Sequence, residues 1–167
     1  MSRQKLFISH AFKDKELAEA VIDLLKTGTR LTSLDVVYSA LGERGVPDGK
    51  DFSSYIESQI QSPAAAIVLL SPNYFANRYS LCEMGAVLAL TQNIMPLLVP
   101  PLTQKHLQGV FSASQIDKID NTDDLNKFVA KLQRHLDLGD LNLQQWAMKK
   151  KQFLTALPTL MDKNSAK

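Results

Sequence analysis

The 167 residues carry 19 Lys and Arg against 17 Asp and Glu, for a formal charge of +2, and 45% of them are hydrophobic. That length holds one compact domain with a full core and is short for two, while the composition argues against wholesale disorder. The small net charge excludes steering of the whole molecule onto nucleic acid or an anionic membrane. The one cysteine, Cys82, leaves no disulfide framework and no cysteine cluster for zinc, as in a reducing compartment. His10, His106 and His135 are scattered with no second ligand at helical spacing, so no metal is expected. Met1 to Lys5 leads into a short apolar stretch without the long apolar region of a secretory signal. No apolar run reaches the ~18 residues a membrane span needs. A cytoplasmic location without membrane attachment is the expectation.

In chain order, Leu6-Phe7-Ile8 is an apolar run whose brevity predicts a buried strand. Asp14 is placed to cap a helix whose apolar positions Leu17, Val21, Leu24 and Leu25 share one face, ending near Thr27-Gly28. Leu34 to Tyr38, with Val36 and Val37, predicts a second strand. A polar loop from Ser39 to about Lys50 holds Gly42, Gly45, Pro47 and Gly49. A helix carrying Phe52, Tyr55, Ile56 and Ile60 follows from Asp51 and stops at Ser62-Pro63, because a residue before proline avoids helical dihedrals.

Ala64 to Leu70 is an uninterrupted apolar run, the pattern of a central parallel strand covered on both faces. A longer helix is predicted from Ser80 through Thr91, with Met84, Val87, Leu88 and Leu90 on its buried side. Ile94 to Val99 predicts a fourth strand, in which Pro96 must sit near the start or at an unpaired position. Gln115 to Ile119 alternates as a short edge strand would, and Asn121 is placed to cap a helix with Leu125, Phe128, Val129, Leu132 and Leu136 on its apolar stripe. After Gly139, Leu141 to about Met161 is helical in pattern, with Leu143, Trp146, Phe153, Leu157 and Leu160 apolar. Lys149-Lys150-Lys151 reads as a solvated helix face, since no aromatics are interleaved to stack bases.

Alternating strands and helices predict an α/β fold around a mainly parallel sheet, and ligands in such folds bind beyond the carboxyl ends of the strands. Ser9-His10, the Ser39 to Lys50 loop and Ser71 to Arg78 therefore fall in one neighbourhood. These segments resemble the boxes of the TIR (Toll/interleukin-1 receptor) family. Lys5-Leu6-Phe7-Ile8-Ser9-His10 resembles the first box. Gly45-Val46-Pro47-Asp48-Gly49-Lys50-Asp51-Phe52 resembles the BB loop and the start of its helix, and Ile67 to Tyr74 resembles the third strand with its Ser-x-x-Tyr continuation. Tyr79-Ser80-Leu81-Cys82-Glu83 matches the position and spacing of the Trp-Cys-x-x-Glu signature of enzymatic TIR domains, with Tyr79 for Trp and Ser80 for Cys. The resemblance runs over residues 4 to 137.

The resemblance implies a flavodoxin-like three-layer sandwich with a mainly parallel five-stranded sheet over residues 1–138. Residues 139–167 are then an added C-terminal helix or a linker to another domain. It implies a bacterial NAD+ glycohydrolase or cyclase in which Glu83 is catalytic and NAD+ is substrate, with no further cofactor. Substrate contacts implied by position are Ser9, His10, Ser39, Arg44, Lys50, Ser71, Tyr74, Arg78 and Tyr79. Implied too are self-association through the Ser39 to Lys50 loop, a fused or separate sensor or effector protein, and service in antiviral defence, with neither membrane nor direct nucleic acid as partner.

Plainer readings stand beside each of these. Ser80-x-x-Glu83 is also a capping box, in which the glutamate bonds back to the helix start. Tyr74 and Tyr79 suit packing as well as stacking on a ligand, and Ser9-His10 suits a satisfied turn. Arg44, Lys50 and Arg78 suit solvated charges. For the whole chain, a non-catalytic TIR interaction module is the alternative. A receiver-type phosphoacceptor is disfavoured, because Ser9-His10 and Ser71 stand where its acidic residues would be.

Overall fold

A computed structural model of the chain describes residues 5–39, 51–59, 63–107, 109–112 and 115–165. Five strands, β1 (Leu6–Ser9), β2 (Val36–Tyr38), β3 (Ala65–Leu70), β4 (Ile94–Leu98) and β5 (Asp117–Lys118), form one sheet in the order β2-β1-β3-β4-β5. Every pairing is parallel. This is the flavodoxin-like order, in which the chain runs outward from β1 to one side and from β3 to the other.

Side chains alternate across the pleat, so the continuous apolar runs of β1 and β3 serve two cores at once. Leu6, Ile8, Ala65, Ile67 and Leu69 face one cluster, covered by α1 (Lys15–Lys26), α5 (Thr122–Leu136) and α6 (Leu143–Ser165). Phe7, Ala66, Val68 and Leu70 face the other, covered by α2 (Phe52–Gln59), α3 (Pro72–Ala76) and α4 (Arg78–Leu90). The three-layer sandwich with an extra C-terminal helix is thus the observed architecture.

Several local expectations change. The second strand begins at Val36, because Ser33–Asp35 closes a 3-10 turn and leaves Leu34 exposed. The fifth shrinks to Asp117–Lys118. Pro96 lies third in β4, opposite Val68, and escapes conflict because β5 pairs only with Leu97 and Leu98. On α4, Val87 is buried and Met84 packs against the core, but Leu88 and Leu90 are exposed. The buried places go instead to Ser80 and Glu83. Asn121 caps α5 as expected, accepting from the amides of Asp123 and Asp124.

The last helix packs back against α1, burying Trp146, Phe153 and Leu157, whereas Leu143 points to solvent. Its lysines are not all solvated: Lys149 pairs with Asp23, and Lys150 reaches the Asn126 side chain at 2.7 Å. Gly28, at φ +86°, turns the chain after α1 and abuts this helix, since an added Cβ would meet the Asn142 carbonyl at 3.0 Å. No helix among the described residues is long and apolar enough to cross a membrane. Because Phe153 fills the seam beneath α6, Phe153→Ala is expected to cost about 3–5 kcal/mol, seen as a lower denaturant midpoint at unchanged slope.

Candidate functional site at the carboxyl ends of β1 and β3

The sheet's switch point lies between β1 and β3, and there the chain gathers several buried polar side chains, among them Ser9, Asp14, Ser71 and Glu83. Ser9 follows Phe7 by two residues and therefore points to the same face, toward α3 and α4. Ser39 continues the β2 ladder, its amide donating to the Ile8 carbonyl at 3.0 Å. Glu83 lies on the inner face of α4 with Ser80 and Val87, at the three- and four-residue spacing of one helical stripe.

These placements converge on the Glu83 carboxyl, which is only 2% exposed. Ser9 Oγ donates to Oε1 in a short hydrogen bond, and Ser39 Oγ donates to Oε2 at 2.6 Å. The Tyr74 hydroxyl lies 2.7 Å from Ser9 Oγ. Burial pushes the Glu83 carboxyl above its usual range, against the opposing pull of the hydrogen bonds from Ser39 and Ser9. The capping-box alternative for Glu83 is not met. Asn77 caps α4, accepting from the amides of Tyr79 and Ser80, so the glutamate is released from the helix start and turns to the strand ends.

A second buried carboxylate, Asp14, lies nearby. It occupies the cap position of α1 but makes no cap hydrogen bond. Instead it accepts from Ser71 Oγ in a short contact and from Asn73 Nδ2 at 2.8 Å, tying the loop after β1 to the loop after β3. Ser71 in turn caps α3, accepting from the Tyr74 amide at 3.0 Å. Nothing in the residue pattern beyond an acid just past the first strand pointed to this arrangement.

The expected site residues divide accordingly. Ser9, Ser39 and Tyr74 surround Glu83. Tyr74 is fully buried, so its ring packs in the core and cannot stack on a ligand in this conformation; only its hydroxyl reaches the site. Ser71 is committed to Asp14 and α3. His10 is buried, with its ring edge-on to Tyr38 at 6.1 Å, and that burial lowers its pKa. Arg78 and Tyr79 are exposed and line a cleft of about 330 Å³ with Phe12, Lys13, Asn73 and Asn77. Glu83 does not line this cleft, but it lies four residues along α4 from Tyr79 and so on the same side of that helix. Arg44 and Lys50 lie outside the described residues. Asn73 and Asn77 fall within the Ser71 to Arg78 segment that the sequence placed near the site, whereas Phe12 and Lys13 were not singled out, because nothing local marks them as cleft residues.

Comparison with known proteins follows the same outline. A family model described as TIR domain matches residues 6–136. The uncharacterized protein YddK of Bacillus subtilis (strain 168) is 29% identical over 155 residues, which cover 92% of this chain and 57% of that protein. The chain thus spans a little over half the length of that relative. The crystal structure of the TIR domain of the Toll-related receptor TRR-2 from Hydra magnipapillata superposes with a TM-score of 0.53 at 19% identity. The match covers 79% of this chain and 97% of that one, and it shows a shared fold.

The buried carboxyl has a consequence for stability. With a folded pKa raised above the ordinary 4.5, the folded state holds the Glu83 proton more tightly than the unfolded state does. Its contribution is therefore fully present below pH 4.5 and declines as pH rises through the folded value. Glu83→Gln, which does not titrate, is expected to gain stability relative to the parent as pH rises from 4.5 toward neutrality. Urea unfolding at a series of pH values measures this, and a difference independent of pH would contradict it.

Proposed function

The chain belongs to the TIR-domain family, and on that premise we propose that it is an NAD+ nucleosidase, with Glu83 as the catalytic carboxylate. The bond broken joins the ribose C1′ to the pyridinium nitrogen. Its electron pair leaves with nicotinamide, which departs neutral, so the demand for help falls on the positive ribosyl centre left behind. A carboxylate beside that centre stabilises the developing charge. Water, or a nucleophilic atom of the same molecule, then closes on C1′ and gives linear or cyclic ADP-ribose. A carboxyl whose pKa is raised by burial also suits the proton lost by that nucleophile.

The observation that carries this reading is a buried carboxylate at the sheet's switch point, held by hydroxyls from separate strand ends. A cleft bearing Tyr79 and Arg78 adjoins it on α4, offering an aromatic face and a cation to a dinucleotide. In this reading His10 and Ser71 shape the floor beneath the ligand, and Arg44 and Lys50 meet its pyrophosphate. Self-association through residues 39–50 acts as the switch. Service in antiviral defence under a fused or separate sensor belongs to the same reading.

One observation favours the interaction-module reading instead: Glu83 is nearly inaccessible, with both oxygens already occupied. Turnover decides between them. Concentrated or crowded protein incubated with NAD+ is expected to release nicotinamide, with the second product identified by mass. Glu83→Ala is expected to lower that rate about 10²–10⁴-fold with assembly by light scattering unchanged. No release in any assembled state would leave the chain as an interaction module.

A further inference from the structure

The two oxygens of Glu83 are held by unlike groups. Ser9 has one hydroxyl proton and spends it on Oε1, so toward Tyr74 it can only accept. The Tyr74 phenol is therefore the donor, and the chain runs Tyr74 to Ser9 to Glu83. A hydroxyl that accepts while donating is polarised and donates more strongly. Burial keeps the phenol neutral, by raising its pKa, and hence able to donate. Tyr74 is 0% exposed among Phe7, Val68, Leu70 and Val87, so neither water nor a ligand can take its place. Its position is set from below, because Asp14 holds Ser71 and Ser71 caps the Tyr74 amide. Ser39 differs: it is half-buried, at the end of the edge strand β2, and adjoins the 40–50 segment.

We propose that Tyr74 is a positioning residue that, through Ser9, anchors Glu83 Oε1, so that Oε2, under Ser39, is the oxygen offered to the substrate. The proposal rests on the NAD+ reading for its second half only; the anchoring of Oε1 stands without it. Among the described residues, the groups acting on the carboxyl are Ser9 from β1, Ser39 after β2 and Tyr74 from α3, and of these only Tyr74 titrates. His10, next along β1, turns to Tyr38 and responds to Asp14, Glu19 and Lys15.

The test is direct titration of the Glu83 carboxyl carbon by NMR in protein labelled at glutamate, the resonance being identified by its loss in Glu83→Gln. Tyr74→Phe keeps the ring and removes only the donor; it is expected to raise the Glu83 midpoint by about half a pH unit. Ser9→Ala is expected to raise it further, with thermal unfolding reporting that both variants fold. In turnover, Tyr74→Phe and Ser9→Ala are expected to lower kcat about 3–10-fold and to move the acid limb of the pH profile upward by the same amount as the NMR midpoint. Ser39→Ala is expected to act mainly on KM. A Glu83 midpoint unmoved by Tyr74→Phe would overturn the anchoring, and Ser39→Ala lowering kcat with KM unchanged would overturn the assignment of the two oxygens. A raised midpoint in a protein that never releases nicotinamide would uphold the anchor while sinking the enzymatic reading; release without any change of midpoint would do the reverse.

Discussion

A carboxylate removed from water must be hydrogen-bonded where it lies, and Glu83 makes that demand at the centre of this molecule. The donors come from the end of β1 and the residue after β2, and a hydroxyl from α3 backs one of them. Four segments of chain are therefore committed to one another through a few atoms. A slip of one residue in β1 would turn Ser9 to the opposite face and leave Oε1 without its donor inside the core. The parallel register and the site are in this sense one constraint, imposed once by packing and again by charge.

Asp14 extends the constraint to the loops. Its side chain leaves the helix start that it nominally caps and binds Ser71 and Asn73, so the turns following β1 and β3 are tied to each other. Two acids, buried within the same layer, thus do different work. Asp14 secures the geometry of α3, which delivers the Tyr74 hydroxyl. Glu83 receives it. The adjoining cleft is a product of the same lock, since its walls are the β1 loop carrying Phe12 and Lys13 and the α3–α4 junction carrying Asn77 to Tyr79.

The opposite layer is held chiefly by apolar packing. α6 closes the cluster beneath α1 and α5 with Trp146, Phe153 and Leu157, beyond the residues 6–136 that the family model matches. Trp146 secures its polar edge by donating from Nε1 to Asn126 of α5 at 2.9 Å. The division of labour follows from the sheet: serine, aspartate and glutamate gather on one face at the carboxyl ends of β1 and β3, while the other face is mostly apolar, with Asp117 of β5 buried and paired with Lys131 of α5 at 2.7 Å.

Much of the fold was legible in the residues, because apolar periodicity and capping act within a few neighbours along the chain. The β3 run, the α1 stripe and the Asn121 cap are of that kind. Element ends were less legible where a polar contact overrode the pattern, as when Asp35 closed a 3-10 turn and pushed the start of β2 from Leu34 to Val36. On α4 the apolar count put Leu88 and Leu90 inward, yet the buried positions fall to Ser80, Glu83 and Val87 and both leucines are exposed. The motif picked out Glu83, Ser9, Ser39 and Tyr74, and by itself left Glu83 as either a helix cap or a site carboxylate. Only the tertiary structure removed the helix-cap alternative, by placing Asn77 at the cap, and gave Tyr74 a buried hydroxyl in place of an exposed ring. The contacts responsible span 44 to 74 residues, a distance over which chain periodicity carries no information and only the assembled sheet brings the partners together.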